Sequence, residues 1–340
     1  MARKFSVPRR RMAIFARVAA VILSVMAIHT APQAHAVDPP SDAARHELRK
    51  MIEDVPGATA VRYGLTDSSG RSMDTVKVIQ DASGDYLAVY HTMRPDGRFH
   101  SALASSKDLL NWAFVRDFGA GTSQPTIARD SKGGYVVAWE QDPNNHIAVR
   151  YYPTRAILFS GSASRSFDAP RRLSQCAEGT PNIYEIQLIP DIDRSSITFG
   201  GHYFSNCDVD REMRATLSNF SHWSVEVDRT LDNSLLHWGV RGNIGDRDAI
   251  EYKGFSYGVI EGQFTKNDFG SWRVFIHDYM TLNSEPLAIK TARGSTAFAN
   301  PTISKVKLPD GRNAILVSTF LPSEGAALGE AGQLLYYRAY

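Results

Sequence analysis

Cysteine is scarce in this 340-residue sequence, and long apolar runs are missing after residue 36. The two cysteines and ten histidines show none of the spacings of a zinc site, which excludes a zinc-stapled fold. No segment after residue 36 reaches the ~20 consecutive apolar residues that a membrane-spanning helix requires. We therefore expect neither a structural zinc ion nor a membrane partner.

The first 36 residues have the three parts of a secretory signal peptide. Six basic residues and no acidic residue precede an apolar run at 18–28, and the segment ends in the small-residue pattern Ala34-His35-Ala36. Because the apolar run is too short to span a bilayer, we favour cleavage after about Ala36 over an N-terminal membrane anchor. This predicts a secreted, extracellular protein.

The charge balance changes once this segment is removed. Residues 37–340 keep 32 of the 38 Lys and Arg residues against 36 Asp and Glu, a formal net charge of −4. A mildly acidic chain lacks the electrostatic surface that binds nucleic acid. We expect no nucleic-acid partner, and we expect a monomer.

The two cysteines, Cys176 and Cys207, fall in the same predicted structural unit. Export into an oxidising space permits a disulfide, and closing a loop of this size stabilises a fold by about 3 kcal/mol in the chain-entropy account. We predict a Cys176–Cys207 disulfide, with two free thiols as the alternative.

One pattern recurs five times after residue 73. Each copy is a strand, a tight turn and a second strand, and most copies continue with a third and a fourth strand. The first strands open at Asp74, Gln124, Thr180, Arg247 and Asn300. Fourth strands are predicted at 169–173 in the second copy and at 287–290 in the fourth. Four strands at a period of roughly 50 to 65 residues is typical of β-propeller blades.

The strand count also predicts how the ring closes. The last copy has no fourth strand, whereas one spare strand precedes the first copy at 60–65. An N-terminal strand that completes the last blade removes an exposed sheet edge. We predict an all-β, five-bladed β-propeller over residues 60–340, a count that a β-sandwich or two β domains would not explain. A leader at 37–59 precedes it, with a helix from Asp42 to Asp54 capped by Ser41.

Polar residues of all five blades are predicted to meet at one mouth of the channel, because the first strand of each blade lines the channel. The candidate binding residues are His91, Gln124, Asn182, His202, Arg247, Glu261 and Asn300. Amides and carboxylates for sugar hydroxyls, beside aromatic faces such as that of Trp272 for sugar C–H groups, suit a carbohydrate.

Three segments resemble glycoside hydrolase family 43 and its five-bladed relatives. Residues 106–112, Ser-Lys-Asp-Leu-Leu-Asn-Trp, resemble that family's SxDLxNW stretch. Asp74 resembles the family's catalytic base in position, and residues 177–184, Ala-Glu-Gly-Thr-Pro-Asn-Ile-Tyr, resemble its AEGPxIY segment with one Thr inserted. The resemblance implies that Asp74 is the base and Glu178 the general acid of a glycosidase.

The sequence departs from that family at the second and fourth blades. Gln124 stands where the family has a third carboxylate, and Asp248 is the candidate that would replace it. Glu185 and Glu251 are rivals of Glu178 for the role of acid, because strand alternation could point either into the channel. A sialidase fits less well, since it needs an arginine cluster and six blades.

These observations favour a secreted glycoside hydrolase that cleaves O-glycosidic bonds of an oligo- or polysaccharide through paired carboxylates. An arabinose- or xylose-containing polymer is the first substrate class. The alternatives are a non-catalytic carbohydrate-binding propeller and an exported scaffold that binds protein through its rim. Hydrolysis requires no cofactor, and a channel lined by Asp, Asn and carbonyl oxygens would suit a calcium ion.

Overall fold

The computed structural model describes residues 38–340, apart from the side chains of Asp246 and Arg247. The predicted signal peptide, residues 1–36, lies outside the described residues. Within residues 38–340, no helix is long and apolar enough to cross a membrane.

The described chain forms five antiparallel four-stranded sheets, which confirms the five predicted blades. The first two blades are β2 (Asp74–Gln80), β3 (Tyr86–Met93), β4 (Phe99–Ser106) and β5 (Ala113–Ala120), then β6 (Thr122–Arg129), β7 (Tyr135–Gln141), β8 (His146–Tyr152) and β9 (Arg165–Asp168). The next two are β10 (Glu178–Leu188), β11 (Ser195–Ser205), β12 (Val209–Ser218) and β13 (His222–Val227), then β14 (Ile244–Tyr252), β15 (Phe255–Gln263), β16 (Trp272–Asp278) and β17 (Asn283–Pro286). Blade 5 contains β18 (Ala299–Lys307), β19 (Asn313–Leu321), β20 (Gly332–Ala339) and the N-terminal β1 (Ala60–Tyr63).

The first strands of the five blades contact one another in cyclic order, β2, β6, β10, β14, β18 and again β2, so the sheets surround a common channel. β1 pairs antiparallel with β20, from Ala60 opposite Tyr337 to Tyr63 opposite Leu334. Four apolar clusters each fill the space between two neighbouring blades. Burial of these β-branched and aromatic side chains is the main force that holds the ring together.

Two fourth strands lie a few residues before their predicted positions. β9 ends at Asp168 because Pro170 has no N–H to donate to the ladder. β17 begins at Asn283, since only four residues separate it from β16, and pairing therefore starts as soon as the chain reverses. Neither shift changes the number of blades.

Three helices accompany the blades: α1 (Asp42–Glu53), α2 (Arg155–Ser160) and α3 (Arg229–Leu236), with a short 3-10 turn at Phe269–Ser271. The predicted cap of α1 is wrong. Ser41 has helical backbone angles, whereas a capping residue needs an extended backbone for its side chain to reach back. The Ser41 hydroxyl instead donates to Asp278 of blade 4, at 2.6 Å.

Helix α1 packs on blades 4 and 5 as part of their shared core. Leu48 and Ile52 are fully buried among blade residues that include Tyr257 and Tyr336. Both tyrosine hydroxyls donate to backbone carbonyls of this segment, Tyr257 to Ser41 and Tyr336 to Ile52. The helix is therefore built into the propeller core.

Each first strand is interrupted by a bulge close to the channel mouth. The ladder skips residues after Asp74, Ser123, Gly179, Asp246 and Ala299. The residue that follows has a left-handed backbone in four of the blades: Thr75, Gln124, Thr180 and Asn300, with φ from 48° to 55°. Non-glycine residues adopt this conformation rarely, because it crowds the Cβ atom.

The bulges show that the predicted alignment of blade 1 with the other blades is wrong by one residue. Asp74 precedes the left-handed residue, so its structural counterpart on blade 2 is Ser123 and not Gln124. Gln124 corresponds to Thr75 instead. A bulge inserts an extra residue, and this shifts the alternation that the sequence pattern implies.

Truncation of α1 tests its place in the core. Leu48→Ala should lower the free energy of unfolding by about 2–5 kcal/mol, because a fully buried leucine leaves a cavity. Lys50→Ala, on the exposed side of the same helix, should change it by less than about 0.5 kcal/mol. Urea unfolding of both variants measures the difference. Equal small effects would show that α1 contributes little to the propeller.

Candidate active site at the channel mouth

A cavity of about 630 Å³ lies at one mouth of the channel, and all five blades contribute to its wall. Its polar lining residues are Asp74, His91, Ser123, Gln124, Glu140, Asp142, Asn145, Thr180, His202, Asp210, Glu261 and Asn300. Five aromatic rings join them: Phe99, Phe204, Phe269, Trp272 and Phe320. The predicted convergence of residues distant in the chain is therefore present in the structure.

The described side chains that line the cavity include several acidic groups. Five carboxylates and two histidines line it, and no lysine or arginine does so among the side chains that the structure describes. The described carboxylates would repel an anionic sugar such as a uronic acid. The wall suits a neutral polyhydroxyl ligand, whose C–H faces can lie against the aromatic rings.

Asp74 begins β2 and faces the cavity opposite His91 on β3. Burial raises the pKa of its carboxyl, and one hydrogen bond from the Ser72 hydroxyl, at 3.0 Å, partly opposes that increase. A carboxyl with a raised pKa keeps its proton to a higher pH, as proton donors in glycosidases do.

The ring of His91 is fixed by the neighbouring blade. Its Nδ1 accepts a hydrogen bond from the backbone N–H of Gln124, at 2.9 Å. An Nδ1 that accepts has no proton, so the neutral ring carries its proton on Nε2. Phe99 packs against the ring with centroids 4.4 Å apart. His91 is thus a buried and rigidly held part of the cavity wall.

Glu261 and Asn300 are held together across blades 4 and 5. The backbone N–H of Asn300 donates to the Glu261 carboxylate. A side chain on Gly245, directly opposite in the ladder, would collide with that carboxylate. Both residues line the cavity, where the sequence pattern placed them.

Glu140 is a cavity carboxylate that the sequence did not reveal. It lies near the end of β7 in blade 2, is 8% exposed, and accepts a hydrogen bond from the Asn145 amide at 2.7 Å. Its carboxylate rests on Gly179 of blade 3, where any Cβ atom would collide with it. Gly179 does not have a positive φ, so the glycine is required by this close approach and not by the backbone conformation. A blade 2 side chain therefore places its charge at the opening of blade 3.

Solved structures that share this architecture include glycoside hydrolases. The chain aligns with BT0996, solved as a complex with RGII, at a TM-score of 0.56 and 12% identity, over 87% of this chain and 95% of that one. A second glycoside hydrolase gives 0.56 and 10% identity, over 88% and 95%. The exo-β-1,3-galactanase 1,3Gal43A of Clostridium thermocellum gives 0.51 and 12% identity, over 82% of this chain and 62% of that one.

The chain shares the fold of the five-bladed glycoside hydrolases. The resemblance stated from the sequence motifs is confirmed for the fold. No protein-family model matches the sequence, and no curated protein is significantly similar to it.

Glu178 does not line the mouth of this propeller, contrary to prediction. It is 2% exposed, and its Oε1 accepts the backbone N–H groups of Arg172, Leu173 and Ser174. Those donors precede it in the loop from β9 to β10, so the carboxylate turns back into its own loop and away from the channel. The geometry does not favour Glu178 as the acid, because its Oε1 accepts three backbone N–H groups of this loop and the side chain does not line the cavity.

Asp248 also lies away from the cavity. It is 1% exposed inside the channel, forms an ion pair with Lys77 of blade 1, and accepts the backbone N–H groups of Ile303 and Ala249. Burial raises the pKa of the Asp248 carboxyl, whereas Lys77 opposes that increase. Asp248 therefore joins three blades below the mouth and does not replace the family's third carboxylate.

The remaining predicted residues divide between the cavity and other places. His202 lines the cavity, with Nε2 3.6 Å from Asp210. Asn182 is 1% exposed, lies deeper than the bulge and does not line the cavity. The side chain of Arg247 lies outside the described residues. Glu185 and Glu251 are exposed on the far halves of their strands, so neither faces the mouth.

The predicted disulfide is confirmed. Cys176 and Cys207 are bonded, with Cα atoms 5.6 Å apart, and join the loop before β10 to the turn between β11 and β12. Ser174 donates to the carbonyl of Phe204 beside this bond, at 2.8 Å. The bond therefore fixes two loops at the blade 3 side of the cavity.

The calcium ion remains a prediction. Among residues 38–340, no group of three or more His, Cys, Asp or Glu side chains is arranged to hold a metal ion. The ammonium group of Lys77 already faces Asp248 in the channel.

A comparison of two Glu178 variants tests its structural role. Glu178→Ala should lower the free energy of unfolding by about 1–3 kcal/mol, since three partly buried N–H groups lose their acceptor. Glu178→Gln keeps Oε1 and should recover a large part of that loss. Thermal unfolding and activity should therefore change together. A catalytic acid would instead lose activity in both variants at unchanged stability.

Proposed function

We propose that the protein hydrolyses O-glycosidic bonds of a neutral polysaccharide at the channel mouth, with Asp74 and Glu140 as the paired carboxyls. The observation that carries this proposal is the position of the Glu140 carboxylate on Gly179. Blades 1 and 3 are not neighbours in the ring. Glu140 belongs to blade 2, but its carboxylate lies against blade 3, so the two carboxyls in this proposal act from different sides of the mouth, as a reaction between two opposed groups requires.

Asp74 is the proton donor in this proposal, and Glu140 is its partner. The Asp74 carboxyl gives its proton to the glycosidic oxygen as the bond from the anomeric carbon to that oxygen breaks. Glu140 either accepts a proton from the water that attacks the anomeric carbon, or attacks that carbon itself to form a glycosyl ester, which water then hydrolyses with Asp74 as the base. This assignment reverses the role that the family resemblance implied for Asp74, because burial raises the pKa of its carboxyl.

The substrate class follows from the lining and from the fold relatives. A cavity rich in carboxylates and aromatic rings favours neutral sugars. Arabinose- and xylose-containing polymers remain the first candidates, and a galactan is the next, since one fold relative is an exo-β-1,3-galactanase. A secreted protein would meet such polymers outside the cell.

Leaving-group dependence tests the role of Asp74. Asp74→Asn should lower the turnover of p-nitrophenyl arabinosides, xylosides or galactosides by about 10²–10⁴-fold, the usual contribution of a general acid. Dinitrophenyl glycosides, whose leaving group needs no proton, should lose far less. Loss of activity should also occur as pH rises through the pKa of Asp74. An equal loss of turnover on both classes of aryl glycoside would contradict the assignment of Asp74 as the proton donor.

External nucleophiles test the role of Glu140. Glu140→Ala should be nearly inactive, and added azide should restore turnover with formation of a glycosyl azide. Glu261→Gln serves as the matched control, since Glu261 also lines the cavity but is assigned no chemical step. Rescue of the Glu261 variant and not of the Glu140 variant would move the second carboxyl to blade 4. Binding of oligosaccharide without turnover in the wild type would support the non-catalytic alternative.

Gly179→Ala tests the contact that places Glu140. The new methyl group would occupy the position of the Glu140 carboxylate and displace it. Because a misplacement of about 1 Å costs about 100-fold in rate, activity should fall by about that factor while the fold remains intact. Gly258→Ala, where the new Cβ would lie 3.1 Å from both the Cδ1 of Ile260 and the hydroxyl of Tyr279, is the control. Equal activities in the two variants would contradict the assignment.

A further inference from the structure

A second cavity, of about 700 Å³, lies on the outer part of blade 4 between α1, α3 and the turn that joins β16 to β17. It shares no lining residue with the mouth cavity. Trp272 begins β16 at the mouth, whereas Thr281 and Ser284, beyond the other end of β16, line the second cavity. Seven strand residues span about 20 Å. The second cavity is therefore on the opposite face of the propeller.

An exposed tryptophan, Trp238, forms one wall of this second cavity. Trp238 is 43% exposed, which is a large fraction for a tryptophan. The indole N–H donates to the carbonyl of Ser284, and His237 meets the ring edge-on with centroids 6.2 Å apart. A fixed, open indole face binds ligands at little cost in side-chain entropy.

The charged residues of this cavity already form ion pairs, and Glu285 also pairs with Arg49 of α1. Arg45 pairs with Asp42 and Glu285, which line the cavity with it, and its guanidinium also lies 3.8 Å from Asp278. The groups left to contact a ligand are amides and hydroxyls, from Thr230, Asn233 and Asn283. This combination fits a neutral ligand with several hydroxyl groups.

We infer that the second cavity is a polysaccharide-binding site that holds the polymer on the face opposite the hydrolytic mouth. The indole of Trp238 stacks on one sugar ring, and the amides and hydroxyls around it bind that sugar's hydroxyl groups. The chemical class of the ligand rests on the proposed function, whereas the site itself does not. Such a site increases the local concentration of polymer at the protein without taking part in bond cleavage.

Affinity electrophoresis tests this site separately from catalysis. The Asp74→Asn protein, which leaves the polymer intact, is run through native gels that contain arabinan, arabinoxylan or galactan. Trp238→Ala in that background should weaken retardation by about tenfold, the loss expected for one stacking contact and its hydrogen bonds. Tyr340→Ala removes a similarly exposed aromatic ring elsewhere and should have no effect. Circular dichroism verifies that each variant is folded.

The outcomes distinguish this site from the mouth. Retardation lost in Trp272→Ala but kept in Trp238→Ala would place all binding at the mouth and overturn the second site. No retardation in any of the three gels would also overturn it, whereas aryl glycoside turnover alone decides the proposed hydrolysis. A dimer in light scattering that Trp238→Ala dissociates would identify a second copy of the protein as the occupant and overturn the carbohydrate assignment.

Discussion

The structure depends on hydrogen bonds between neighbouring blades. In each, a backbone N–H of one blade donates to a side chain of the preceding blade. At three of the bulges the N–H of the left-handed residue is directed out of its own ladder. The side chain of Gln333 in blade 5 accepts the backbone N–H of Thr75. In the same way, His91 of blade 1 accepts the N–H of Gln124, and Glu261 of blade 4 accepts the N–H of Asn300. A buried N–H without an acceptor costs about 1–3 kcal/mol, so each bond fixes the angle and height of one blade against the next. The mouth is the place where these bonds meet.

This constraint explains why residues of the cavity wall serve two purposes. His91 and Glu261 line the cavity and also join blades, so their side chains are rigid before any ligand arrives. Rigid polar groups lose little entropy when they bind, which favours both affinity and transition-state stabilisation. Glu140 is fixed in another way, between the Asn145 amide and the bare backbone of Gly179. Glu178, two residues before the left-handed residue of blade 3, instead accepts backbone N–H groups of its own loop.

The number of blades could be predicted from the sequence because each blade repeats the same order of strands and turns, a local pattern that alternation reveals. The disulfide could be predicted because both cysteines fall in one blade. The directions of the side chains at the mouth could not be predicted. A bulge reverses the alternation of side chains between the two faces of a strand, so a single residue decides which way Asp74 or Glu178 points. Glu140 could not be identified from the sequence as a residue of the site. It directly follows the apolar run Tyr135–Trp139, so the sequence indicates only the end of a buried strand there. The pairing of that glutamate with a glycine on the next blade depends on tertiary structure alone.

Fold relatives at 10–12% identity show how little sequence this ring requires, since bulges, turns and apolar alternation tolerate many residue types. The central claim is that Asp74 and Glu140 flank the bond to be broken. A crystal structure of the Asp74→Asn variant with a bound arabino- or xylo-oligosaccharide tests it most directly. We expect a glycosidic oxygen within hydrogen-bond distance of position 74, with the adjoining anomeric carbon facing the Glu140 carboxylate. A sugar bound against Glu178, or at the mouth but out of reach of Glu140, would contradict it.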